Sequence, residues 1–241
     1  MKKHIFILYT LVLFAFCSCS KDPGETITKT ISIDGSYNKL QVENAFDVTV
    51  SDTASLLYIT TGENVMSKVV VELDDNELKI YLKPFTGYFD TDMKVVIPYN
   101  ADLTHIELSG ASEFHSEFGL KGKKIEVELS GASKIDCDID ATELDLELSG
   151  ASDASLTGQA TKFEIDLSGA SNILKKVVDH RYSFACDRCD GSISGASIAY
   201  IHCDGSIKVD LSGASDLHYT GNASTSGCST SGSSNVIHDN P

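Results

Sequence analysis

Carboxylates recur at constant offsets along this chain. Two positions before successive copies of the tetrapeptide Ser-Gly-Ala-Ser lie Glu107, Glu128, Glu147, Asp166 and Asp210; four before them lie Glu126, Asp145, Glu164 and Asp190. On extended backbone these side chains share one face, opposite their apolar neighbours. Hard cations seek oxygen ligands, so Glu126, Glu128, Asp145, Glu147, Glu164 and Asp166 form a candidate cation-binding acidic ladder, the metal itself being undefined. Calcium, however, takes about six to eight converging oxygens, and a flat sheet face offers only a few. A solvated acidic face is the preferred reading, its repulsion relieved by salt and by the interspersed His105 and Lys208.

The remaining reactive residue types are less suggestive of catalysis. Ser-Gly-Ala-Ser superficially resembles an esterase loop, but an active site needs one activated serine, and here the motif recurs with no histidine at a constant offset to act as base. The serines are therefore read as structural, and no catalytic residue or cofactor is assigned. Beyond the N-terminus the cysteines are Cys137, Cys186, Cys189, Cys203 and Cys228. Cys186-x-x-Cys189 supplies only half of a tetrahedral zinc site. In an oxidising envelope a disulfide is more natural, and Cys186 and Cys203, at nearly equivalent places in successive repeats, are the candidate pair. Cys137, between Ile135 and Ile139 on the inward parity, reads as a small core residue.

Both arginines, Arg181 and Arg188, fall in an inserted segment from Lys175 to Arg188 that also holds Asp179 and His180. Solenoid enzymes that cleave uronate polymers use an arginine and calcium-binding carboxylates, but nothing in the spacing gathers acids around Arg181. A surface loop is the preferred reading. Phe85, Tyr88 and Phe89, in the turn-like run from Pro84 to Phe89, are candidate glycan-contact aromatics, as Tyr200 and His218 would be if stacked outward on neighbouring repeats; local packing is preferred for both.

The elements that position these groups follow from the repeat. Ser-Gly-Ala-Ser begins at 109, 130, 149, 168, 194 and 212, with Ser-Gly-Ser-Ser at 231, giving spacings of 21, 19, 19, 26, 18 and 19. Self-similarity at about 20 residues signals stacked repeats. Before each copy apolar and polar residues alternate, as in Leu144-Asp145-Leu146-Glu147-Leu148, which is the period of a half-buried strand. Nineteen residues are too few for a βαβ unit of about 30. They fit one coil of a parallel β-helix whose equivalent residues stack at about 4.8 Å. Two interior columns are expected: Leu108, Leu129, Leu148, Leu167, Ile193 and Leu211, and beside it Ala111, Ala132, Ala151, Ala170, Ala196 and Ala214. The motif glycine should occupy a bend that a Cβ would disfavour.

The division expected is a less regular β region over 27–104, capping the open end of a repetitive region over 105–241. In the first, Val69–Leu73 and Leu78–Leu82 read as strands joined by the turn Asp74-Asp75-Asn76-Glu77. The final copy is polar, with Ser226, Cys228 and Thr230 where earlier repeats have Ile207, Val209 and Leu211, as suits a terminal repeat facing water.

The N-terminus carries an address. Residues 1–18 hold two lysines and an apolar run from Ile5 to Phe16, a secretory signal too short for a stable membrane span. Lipoprotein signal peptidase cuts before a cysteine that follows a small residue; Cys19 follows Ser18, whereas Cys17 follows Phe16, so Cys19 is the expected lipidated residue and 19–26 a polar linker. Cleavage removes Lys2 and Lys3 from the 19 basic residues, leaving 17 against 35 acidic ones and a formal charge of −18. That charge excludes sequence-independent nucleic-acid binding and adhesion to anionic membrane through basic patches, and leaves membrane association to the lipid.

The block Lys39-Leu40-Gln41-Val42 through Phe46-Asp47-Val48-Thr49-Val50, the run Asn76-Glu77-Leu78-Lys79-Ile80 and the Leu-Ser-Gly-Ala-Ser repeats resemble the putative auto-transporter adhesin head domain, or head GIN domain, of bacterial surface lipoproteins. The resemblance spans about residues 30–238 and implies a right-handed parallel β-helix, with no catalytic residues to carry over. The expected protein is thus an all-β, outer-membrane lipoprotein on the cell surface or periplasmic face. It binds a glycan or extracellular protein without catalysis; a carbohydrate-active enzyme, lyase-like or hydrolase-like, is the alternative, and a purely structural envelope protein a third.

Overall fold

The computed structural model describes residues 20–84, 88–89 and 91–240. Strands account for most of them, and helix for the short turn Glu63–Met66. The all-β class holds, but the right-handed parallel β-helix does not: 17 strands form one large mixed sheet. Thr26–Ile31 runs antiparallel to Leu57–Gly62, which is also antiparallel to Lys94–Pro98. Val69–Asp74 and Glu77–Leu82 form the hairpin expected from their sequence. The reason lies in the connections. The N-terminal segment lacks the recurrent glycine corner, and tight reversals replace it, as at Asp75 and Asn76 with φ of 45° and 67°. Strand order is also not sequential there, since Lys39–Val42 lies between Glu77–Leu82 and His105–Leu108, parallel to both.

From His105 onward the ladders of this large sheet are parallel and one repeat apart. Glu113–Leu129 pairs with Lys134–Leu148, that strand with Asp153–Leu167, then Phe184–Ile193 and Ile198–Leu211 follow. The leucine column forms as expected, each member from Leu108 to Leu211 in register with the next and at most 2% exposed.

The alanine column is a correction. Ala111, Ala132, Ala151, Ala170, Ala196 and Ala214 are exposed, and the second serine of each motif is buried instead. Ser112, Ser133, Ser152, Ser171, Ser197 and Ser215 are all 0% exposed. The physical cause is the glycine that precedes both. Gly150, at φ +74°, turns the chain outward through Ala151, and a Cβ there would lie 2.4 Å from the carbonyl oxygen of Gly131 in the preceding repeat. Ser152 re-enters the core and donates its hydroxyl to the Ser149 carbonyl at 2.9 Å, so a buried polar group and a turn carbonyl satisfy each other. Ser112, Ser133, Ser171 and Ser215 repeat that bond onto Ser109, Ser130, Ser168 and Ser212.

The cysteine-rich strand follows from volume. Phe163 and Phe184 are both buried, edge to face at 5.0 Å between ring centres. In the ladder the small Cys189 sits beside Phe163, and Gly191 beside Ile165, whose carbonyl oxygen would lie 2.0 Å from a Cβ there. Cys137 is buried with 4% exposure.

Candidate functional site

The ladder registers assemble the acidic face. Glu107, Glu128, Glu147 and Asp166 are successive partners in one column, and His105, Glu126, Asp145, Glu164 and Asp190 in the next. All six candidate carboxylates, Glu126, Glu128, Asp145, Glu147, Glu164 and Asp166, line a shallow groove of about 200 Å3 floored by Val127 and Leu146. Parallel strands in exact repeat register leave no other outcome, because each outward side chain sits directly over its equivalent.

A third column controls the charge. Six positions before the motif, Lys124, Glu143, Lys162 and Arg188 succeed one another in register. Lys124 Nζ lies 2.5 Å from Glu126 and 2.8 Å from Asp145, and Lys162 Nζ lies 2.7 Å from Glu143 and 2.8 Å from Glu164. Arg188 holds Asp190 at 2.7 Å. These contacts pull Glu126 and Glu143 below the usual carboxylate range, through Lys124 and then His105 for the first and through Lys162 for the second. They push the Lys124 and Lys162 ammonium groups up in return. Sequence reading missed this column, although its constant offset from the motif and its mixed sign were the available signal.

Two consequences follow for chemistry. Ligand oxygens of Glu143, Asp145 and Glu164 lie within 4.8 Å of one another, the spacing a metal ion needs, but each of these carboxylates already receives a lysine, which a cation would have to displace. The outer column is less relieved, its one lysine contact being Lys39 to Glu107 at 3.6 Å among the described residues. Among the described residues Glu147 and Asp166 have no Lys or Arg within ion-pair distance, and Glu128 has only the imidazole of His105 at 3.7 Å. Asp166 instead accepts a 2.6 Å bond from Ser192. The unneutralised negative charge is therefore a stripe along Glu128, Glu147 and Asp166.

The other candidates are dispersed. Cys186 and Cys203 are direct ladder partners whose thiols interact, and the Cys203 thiol donates to the Asp187 carbonyl at 3.5 Å. The contact between the two thiols raises the Cys186 pKa and lowers that of Cys203, while burial raises Cys189. Tyr200 and His218 do stack, 4.7 Å apart and 21° from parallel, but Tyr182 packs edge-on against Tyr200 and Lys175 lies over both tyrosine rings. His218 Nδ1 is also held by Asp239 at 2.8 Å, so the pair is part of local packing. Tyr88–Phe89 form a short strand parallel to Ser20–Lys21. Phe85 and the expected lipidation site Cys19 lie outside the described residues, and no helix among the described residues is long and apolar enough to cross a membrane.

Comparison with known proteins adds a family and a fold. The model of the family described as "Putative auto-transporter adhesin, head GIN domain" matches residues 36–223. A putative adhesin from Bacteroides fragilis is similar in structure, with TM-score 0.75 at 20% identity over 91% of this chain and 100% of that one. A putative adhesin from Parabacteroides distasonis gives TM-score 0.61 at 20% identity, covering 90% and 96%. A putative lipid binding protein from the same organism gives 0.65 at 18%, covering 92% and 100%. At such identities the likeness is one of fold. No curated protein matches the chain.

Proposed function

Because this chain belongs to the putative auto-transporter adhesin, head GIN domain family, we propose that it is a non-catalytic adhesion module of the bacterial outer membrane, lipid-anchored at Cys19 and displayed on the cell surface, which holds an extracellular protein through its acidic face. Membership of an adhesin family supports a surface position and an external partner. The observation that carries the choice of face is the stripe of Glu128, Glu147 and Asp166, raised on stacked strands and left without lysine partners. Like charges at rung spacing repel, so their negative potential is relieved by solvent, salt or an arriving basic surface. A groove this shallow suits an extended contact better than an enclosed small molecule. Complementary charge accelerates encounter and selects partners, which is what an adhesin needs from such a stripe.

The serines, which a hydrolase would need as nucleophiles, are built into the turns. Ser133 and Ser152 are buried and donate to carbonyls three residues back. The reading is tested by screening the purified full-length chain against extracellular proteins at low and physiological salt. The expected result is a basic partner whose association slows with salt and is weakened by combined Glu128→Gln, Glu147→Gln and Asp166→Asn substitution. Equal binding by this triple variant would overturn the assignment of the face.

A further inference from the structure

The insertion that breaks the repeat builds a second surface of different chemistry. Val177–Val178 and Arg181–Tyr182 pair antiparallel as a small hairpin, turning at Asp179 and His180 with φ of 50° and 63°. It is fastened at several points. Tyr182 is 1% exposed, its amide donates to Thr220 Oγ1 at 3.2 Å and its hydroxyl to Asp239. Lys176 binds Asp136 at 2.8 Å, and Ser183 Oγ donates to the Leu156 carbonyl at 2.8 Å. Arg181 is thus presented from a braced element. Its side chain is exposed and, among the described residues, makes no ion pair or hydrogen bond, in contrast to that of Arg188.

Two clefts meet at this side chain. One, of about 270 Å3, is lined by Arg181 with Gln159, Asp187, His202 and Asp204; the other, of about 400 Å3, by Arg181 with Asp138, Asp140 and Thr157. Gln159 and Ala185 line both, so they form one trough crossing under the guanidinium. One part of its floor is made of small residues because Ala141, Ala160 and Cys186 follow one another in register. One wall is set by a hydrogen-bond relay. Thr220 Oγ1, accepting from the Tyr182 amide, donates to His202 Nδ1 at 2.9 Å, which leaves Nε2–H to donate to Asp204 at 3.2 Å. Asp204 accepts the Asn222 amide as well, at 3.0 Å. Asp138 is occupied by Thr157 at 2.9 Å, whereas Asp187 and Asp140 are exposed.

We propose that this trough binds an acidic oligosaccharide, the carboxylate of one sugar residue pairing with Arg181 and the ring hydroxyls of that unit and its neighbour donating to Asp187, Asp140 and Gln159. The chemistry selects this class. A phosphate group brings more negative charge than one arginine among four carboxylates can offset, while a neutral sugar leaves the guanidinium unmatched. A peptide would want an apolar pocket, and beyond Ile139 and Val178 the lining offers only small or polar side chains. A monoanion rich in hydroxyl donors fits both the single cation and the surrounding acceptors. The proposal rests on the reading of the chain as a binding module but uses a surface separate from the Glu128–Asp166 stripe.

The test is calorimetric titration of the full-length chain in nonionic detergent with three singly charged acids, a neutral oligosaccharide ending in one galacturonate, one ending in one glucuronate, and sialyllactose, with their methyl esters and inorganic phosphate as comparators. At least one acidic oligosaccharide should bind saturably, with its methyl ester at least about tenfold weaker. Arg181→Gln should lose at least about tenfold, and Arg181→Lys should recover part of that loss. Ala185→Phe should block the trough with Arg181 intact. Glu147→Gln, which alters only the acidic stripe, should leave the titration unchanged, so failure of one surface is distinguishable from failure of the other. Absence of binding by all three acids, equal binding of the esters, displacement by equimolar phosphate, or an Arg181→Gln variant that binds as the parent would each overturn it.

Discussion

Exchanging the two small residues of one motif tests the placement that separates the observed turn from the expected one. Ser152 is 0% exposed and donates to the Ser149 carbonyl at 2.9 Å, while its neighbour Ala151 faces solvent. Ser152→Ala removes a net hydrogen bond of about 1 kcal/mol and leaves a turn carbonyl short of a partner, at about 1–3 kcal/mol; the added apolar burial of a methyl offsets only part of this. A loss of about 2 kcal/mol follows. With a urea m-value of about 3 kcal/mol/M for a chain this long, the unfolding midpoint falls by ~0.7 M. Ala151→Ser adds a hydroxyl on the surface and should change stability by less than about 0.5 kcal/mol. The assay is urea unfolding followed by far-ultraviolet circular dichroism, with the m-value compared between variants. Were alanine the core residue, the order would invert: Ala151→Ser would bury an unpaired hydroxyl and Ser152→Ala would be silent. That inverted order would refute the turn geometry.

The glycine beside them should be less tolerant still. Gly150→Ala places a Cβ 2.4 Å from the Gly131 oxygen at φ +74°, so its loss should exceed the ~1–2 kcal/mol of left-handed strain alone and shift the thermal midpoint more than Ser152→Ala does. Cys186 and Cys203, already in thiol contact, should form the disulfide when the chain is exported, each sulfur losing its proton as two electrons pass to a disulfide oxidant; peptide mapping without reductant should find that pair and a free Cys137. Acid should destabilise the fold through the lysine-bound carboxylates. Glu126, whose pKa is lowered by Lys124 and then His105, contributes stability that is complete above its unfolded pKa and lost as pH falls through the lower folded one. Glu126→Gln should therefore flatten the decline in urea midpoint below about pH 4.5, and an unchanged profile would count against the pairing. Finally, Cys19→Ala should move the protein out of the membrane fraction, whereas unchanged fractionation would remove the lipid anchor from the proposal.

What was legible in the sequence divides along the range of the forces involved. The leucine column needed only period two and a constant repeat, and both are written locally in runs such as Leu144 to Leu148. The alanine and serine positions were inverted because one left-handed glycine reorients the next two side chains, and no hydropathy pattern records a backbone dihedral. The antiparallel pairs of Thr26–Ile31 and Leu57–Gly62 were hidden for a related reason: strand direction depends on long-range return of the chain, not on the residues of either strand. Of the surface groups, the six carboxylates were found because their offset from the motif is constant, and Lys124 and Lys162 obey the same rule one step further back. The hairpin announced itself only as an overlong interval, since Asp179 and His180 are not the glycine-rich pair that usually marks such a turn.

A stacked repeat imposes a limit on its own surface. Any outward residue is copied over its equivalent at about 4.8 Å, so a charged position becomes a charged column whether or not charge is wanted there. This chain relieves the inner columns by mixing sign, with Lys124 and Lys162 on either side of Glu143, and leaves Glu147 and Asp166 of the outer column without a cation among the described residues. Within the repeat a positive charge facing carboxylates is spent on them, as Lys124 is on Glu126 and Asp145 and Lys162 on Glu143 and Glu164. The unpaired guanidinium comes with the interruption, since Arg181 stands in the long interval of 26 residues. An extended face for a broad partner is thus what the repeat builds readily, and a localised site with mixed charge is what its break permits.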